Sequence, residues 1–160
     1  MREIVVVWFG RARRDAWEEL VGDYRERLAR HAPVRDLGLR PAPGQGLERL
    51  AAEAESLRAA LPEPCRVVTL DRRGRAESST QLAARLGRWW EEWPHAVAFV
   101  IGSDLGLHPD LLTAAYRRLS LGPLTLPHAL ARLTLYEQLY RAFSIRQGIA
   151  YHRDPVADPR

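Results

Sequence analysis

The chain has 160 residues, 46% of them hydrophobic, which is enough for one ordinary domain with a real core. No apolar run approaches the roughly 18–20 residues of a membrane span, and the lone Cys65 excludes an internal disulfide framework and a cysteine-based zinc site. The net charge is +4, and all 24 basic residues are arginine; there is no lysine and no asparagine. GC-rich coding or heat adaptation produces such a bias. Its physical consequence is that every phosphate contact must come from a planar, bidentate guanidinium, which also stacks on bases. A pI near 9.8 permits a nucleic-acid partner without establishing one.

In chain order, Ile4 to Phe9 is an apolar, β-branched run that predicts a buried strand rather than a signal peptide, and a cytoplasmic location is expected. After GRARR, a helix is predicted from Asp15, with Trp17, Leu20, Val21, Tyr24 and Leu28 on its inner face. Val34 to Leu39 is a weaker strand, and RPAPGQG (Arg40 to Gly46) is a loop. A second helix follows, with Leu47, Leu50, Ala51, Ala54 and Leu57 on one face. Arg66 to Leu70 is the next strand, with Cys65 as a packed thiol at its head and Asp71 to Arg75 as a charged turn at its end. Ser78 and Gln81 have the spacing of a capping box for a helix that buries Leu82, Leu86, Trp89 and Trp90. Ala96 to Ile101 is a fully apolar strand. A helix opened near His108 with Pro109 in its first turn carries Leu111, Leu112, Ala115, Tyr116 and Leu119 on one face, and a last helix runs from about Ala129 to Ile145.

Strands and helices alternate throughout, which predicts an α/β fold: a parallel sheet covered by helices on both faces, in a single domain over residues 1–153. Residues 154–160 read as a flexible extension. Ligands in such sheets bind beyond the carboxyl ends of the strands, here the turns after Phe9, Leu70, Ile101 and Leu126. The stretch IGSDLG lacks GxGxxG spacing, since Gly102 and Gly106 are four apart. It is either a ligand-approach loop, with Asp104 as a polar acceptor, or a tight turn. The stretch LGPLTLP places Pro123 and Pro127 around three leucines. Proline removes ladder donors, so this is either an edge strand with a bulge or a stiff loop offering backbone groups and apolar walls to an adenine ring. His128 reads as a helix-entry histidine or a reactive one. Tyr151-His152-Arg153 combines stacking, proton transfer and anion binding. Arg132, Glu137 and Arg141 share or nearly share a helical face, usually a solvated or salt-bridged arrangement.

The block LPHALARLTLYEQLYRAFSIRQGIAYHRD, with VIGSDLGL and VVTLDRRG before it, closely resembles the ribosomal large-subunit pseudouridine methyltransferase H family, of the SPOUT class. The resemblance covers essentially the whole chain. The family usually has Gly-Gly after the isoleucine, where this chain has Gly102-Ser103. The resemblance implies a C-terminal deep trefoil knot, a rare departure from unknotted topology. It implies S-adenosylmethionine as cofactor, held by Leu70, Gly102, Leu121, Gly122, Pro123, Leu124, Thr125 and Leu126. It implies N3 methylation of a pseudouridine in the 23S rRNA stem-loop facing the small subunit, on assembled ribosomes, with no metal and no membrane. The candidate catalytic residues are His128 as base or base-side partner, Arg153 as anion stabiliser, and Tyr151 and His152 as base-positioning groups. A homodimer is implied, with the partner's C-terminal tail completing each site. The rivals are a related enzyme acting on another RNA such as tRNA, a non-catalytic ribosome-binding factor, and an unknotted nucleotide-binding protein.

Overall fold

A computed structural model describes residues 2–153; the expected 154–160 extension lies outside these residues. Five parallel strands, β1 (Ile4–Phe9), β2 (Val34–Leu39), β3 (Cys65–Ala76), β4 (Ala96–Val100) and β5 (Arg117–Ser120), pair in the order β2-β1-β4-β3-β5. The helices are α1 (Ala16–Ala29), α2 (Gly46–Ala60), α3 (Ser79–Glu92), α4 (Pro109–Ala114) and α5 (His128–Arg146). Side chains alternate across a strand, so β1 and β4 feed two cores. Ile4, Val6, Val97 and Phe99 pack with Leu28 of α1, Leu86 of α3 and Leu135 and Leu139 of α5. Val5, Val7, Ala98 and Val100 pack with Leu57 of α2 and Leu111 of α4. This double burial is why β1 and β4 are apolar at every position.

Most local signals act as expected. Ser78 and Gln81 close a reciprocal capping box on α3, and His108 Nδ1 accepts from Asp110 N at the head of α4. Four expectations change. The charged turn Asp71–Arg75 lies within β3, as a bulge across which both Leu70 and Arg75 face Leu119. Gly74 permits this, because a Cβ there would lie 2.8 Å from the Arg118 backbone. The helix expected through Leu119 ends at Ala114, and Leu119 instead extends the sheet in β5, buried against the core. On α1, Trp17 and Leu20 stay 43% and 47% exposed, because Val21 and Leu28 are the residues that meet the core. On α2, Leu47 and Ala51 are exposed while Glu53 is buried, bound by Arg49 Nε at 2.9 Å and by Ala42 N at 3.1 Å.

The last strand therefore ends at Ser120, not Leu126. Residues 121–126 form no strand, and among the described residues the 123–126 backbone makes no backbone–backbone hydrogen bond. The two prolines have left the backbone groups of residues 123–126 unspent, while those of Gly122 are held by Ser120 Oγ.

Candidate active site

A cavity of about 440 Å³ opens beside the β3 bulge and over the carboxyl ends of β4 and β5. Leu70 comes from β3 just before its bulge, Gly102 from the turn after β4, and Leu121, Gly122, Leu124, Thr125 and Leu126 from the loop after β5. Seven of the eight residues expected to hold a cofactor thus surround one space; Pro123 is exposed and does not line it. Leu124, 75% exposed, stands at the mouth without a protein partner to bury it.

Two small residues hold these loops in shape. A Cβ on Gly102 would sit 2.5 Å from the Gly106 carbonyl, so the turn closes only with glycine there. Ser103 N and Gly106 N donate to each other's carbonyls at 3.1 and 2.8 Å, and Ser103 is buried without a positive φ. Serine therefore fits the place where the resembled family usually has glycine. Sequence reasoning missed Ser120, whose Oγ lies 3.3 Å from Arg72 O and accepts from Gly122 N at 3.1 Å. It ties the cofactor loop to the β3 bulge, and nothing in its local pattern announces that. The expected acceptor Asp104 is taken: Arg49 binds it and holds its carboxyl below the usual range.

His128, the first residue of α5, stands in the wall of this cavity and also of a second one beneath the start of α1. Its Nδ1 is buried and has no hydrogen-bond partner among the described residues. The structural hydrogen bond that would make it an ordinary helix-entry histidine is absent at that nitrogen. One turn on, Arg132 is buried rather than solvated. It binds Glu18 at 2.6 Å and Asp36 at 2.8 Å, and its guanidinium lies 4.1 Å from the centre of the Trp8 ring. Asp36 also accepts from Trp8 Nε1 at 2.6 Å and from Tyr136 Oη at 2.5 Å. Burial, then the Asp36 charge and hydrogen bond, push the Tyr136 phenol up, so it stays a donor. An aspartate in the weak strand β2 carried no sequence signal of this network.

The tail is elsewhere. Tyr151 donates to Glu137 at 3.0 Å, lies 3.1 Å from Tyr24 Oη and meets Tyr140 edge to face at 4.8 Å. Desolvation and those hydrogen bonds raise its phenol. His152 Nδ1 lies 3.3 Å from Arg141, and Arg153 is exposed. Glu137 and Arg141 are nine and thirteen positions along α5 from His128, roughly 14–20 Å at about 1.5 Å per residue. One copy of the chain does not bring Tyr151, His152 and Arg153 to its own His128. Among the described residues, no cluster of His, Cys, Asp or Glu is placed to hold a metal ion.

The family described as "Predicted SPOUT methyltransferase" matches residues 2–152. The chain belongs to this family. S-adenosylmethionine is the cofactor of the class. The proteins named "Ribosomal RNA large subunit methyltransferase H" from Roseobacter denitrificans and Variovorax paradoxus are 42% and 41% identical to it, over 94% and 95% of this chain and 99% of each of theirs. A probable methylase family protein from Haemophilus influenzae Rd KW20 shares the fold, with a TM-score of 0.54 at 16% identity over 91% of this chain. The chain spans 66% of that longer protein.

Proposed function

We propose that this protein methylates large-subunit ribosomal RNA, at N3 of a pseudouridine in the 23S stem-loop that faces the small subunit, on assembled ribosomes in the cytoplasm. The observation that carries the reading is a cavity at the β3 bulge and the ends of β4 and β5 with the unsatisfied Nδ1 of His128 in its wall, in a chain about 40% identical to rRNA large-subunit methyltransferases. Among the described residues no helix is long and apolar enough to cross a membrane.

The cavity fits the cofactor. Leucines supply apolar walls for the adenine, and the unspent backbone of residues 123–126 supplies donors and acceptors for its edge. The knotted threading of the last strand and α5 belongs to this reading. When bound, S-adenosylmethionine supplies an electrophilic methyl sulfonium. The chain has three tasks: to align N3, to take its proton, and to hold the charge left on the base. Alignment accounts for roughly 7–11 kcal/mol of such a barrier. His128, standing between the two cavities, takes the N3 proton or binds on that side, a role worth about 10²–10⁴-fold. Arg153 stabilises the base anion, with Tyr151 and His152 positioning the base. Since one chain's tail packs far along α5, these three reach the site from a second copy, in a homodimer.

The test is labelled-methyl transfer from S-adenosylmethionine to ribosomes lacking the modification, with free large subunits, naked rRNA and tRNA alongside. Incorporation into assembled ribosomes at the pseudouridine is the expected result. Incorporation into tRNA moves the protein to another substrate, and ribosome binding without cofactor affinity makes it a non-catalytic factor.

A further inference from the structure

The second cavity, about 310 Å³, lies on the other side of His128, between the Gly10–Asp15 turn and the starts of α1 and α5. Its floor is Trp8, which has no free face to offer. Arg132 covers one side, and Cβ atoms on Gly10 and Gly38 would fall 2.7 and 2.9 Å from the ring. Trp17, on the rim, differs. It is exposed and makes no aromatic or cation–π contact among the described residues. Two cations share the cavity with it: Arg11 and Arg13 form no ion pair among the described residues. The carboxylates there are occupied. Asp15 caps α1 by accepting from Glu18 N at 3.0 Å, and Glu18 is bound by Arg132. The cavity therefore presents a free indole face and two free guanidiniums, while its carboxylates are turned to the α1 cap and to Arg132.

We propose that this cavity receives the nucleotide to be methylated, its base against the Trp17 indole, its phosphates on Arg11 and Arg13, and its reacting edge toward His128 and the cofactor cavity. The assignment rests on the methyltransferase reading above. Aromatic faces and guanidiniums are the groups that hold splayed-out single-stranded RNA bases and their backbone. The volume lies at the small end of ligand sites, which suits one nucleotide drawn out of a stem-loop rather than a paired stretch.

The test uses the full chain and a fluorescein-labelled single-stranded RNA pentamer with a central uridine, read by anisotropy. Calorimetry with S-adenosylmethionine and sedimentation accompany each variant. Trp17→Ala is expected to weaken RNA binding at least about fivefold, and Trp17→Phe, which keeps a stacking face, to restore it to within about twofold. Replacing Arg11 and Arg13 together with alanine should flatten the salt dependence by about one unit per arginine. Cofactor affinity should stay within about twofold in every variant. Unchanged RNA affinity in Trp17→Ala overturns the proposal. So does a parallel loss of cofactor affinity, or a change in oligomeric state, which would make this face a subunit contact. Trp17-dependent RNA binding in a protein that methylates no RNA would sustain the pocket and sink the methyltransferase reading. Full methylation by Trp17→Ala with an unaltered KM would sink the pocket alone.

Discussion

His128 and Arg132 stand one turn apart on α5 and do different work. His128 is left without a partner at Nδ1, and Arg132 has three. His128→Ala should lower the rate of methyl transfer by about 10²–10⁴-fold while S-adenosylmethionine still binds, as single-turnover transfer and calorimetry would show. Arg132→Ala should instead unfold the protein more easily, by about 3–5 kcal/mol in a urea titration, because it leaves the carboxylate of Asp36, only 7% exposed, without its cation. Cys65 is a third kind of residue. Burial pushes its thiol from an ordinary 9.0 up to about 11. At neutral pH it should react slowly with a disulfide reagent in the native protein and fast in urea. The sign of the linkage follows: the unfolded thiol ionises from pH 9.0 and the folded one only near 11, so Cys65 draws stability down as pH rises between them.

At the scale of elements, the site is made by strand ends and the loops they release. Short strands with apolar sequence were legible, and so were the caps of α3 and α4, because the groups that make them are neighbours in sequence. β5 was not legible: its four residues, RRLS, have no period long enough to read, and Leu119 is a strand residue only because Leu70 is there to pair with it. The loop of residues 121–126 was legible as an alternative to a strand, since proline forbids the ladder whatever the surroundings. The turn after β4 depends on Gly102 meeting Gly106 backbone to backbone. Gly102→Ala should therefore weaken S-adenosylmethionine binding at least about tenfold, measured by calorimetry, with a melting temperature that falls only slightly. A drop in both together would mean that the turn supports the fold rather than the ligand.

At the scale of the whole molecule, the separation between His128 and the tail residues turns a question of mechanism into one of assembly. If Tyr151, His152 and Arg153 act on the site of a second copy, two dead variants should rescue each other. His128→Ala and Arg153→Ala, each inactive alone, should regain methyl transfer when mixed and allowed to exchange subunits. One of the two sites in the mixed dimer then has both an intact His128 and an intact tail. Activity that stays absent on mixing, with exchange verified by sedimentation, would place the tail outside the reaction.

The sequence by itself determined the alternation of strands and helices, the apolar centre of the sheet, the helix caps and the proline-bound loop. Each follows from periodicity or from steric rules that act within a few residues. The family resemblance added the residues to look for around the cofactor. Only the tertiary structure decided that Ser120 fastens that loop to the β3 bulge, that Asp36 and Glu18 bury Arg132 over Trp8, that Trp17 stays outside the core, and that Tyr151 lies against Tyr24 and Glu137. Apart from Tyr151 and Glu137, which are 14 positions apart, those contacts join residues about 50 to 130 positions apart. What brings them together is the order β2-β1-β4-β3-β5, which is a property of the folded sheet and of no single stretch of the chain.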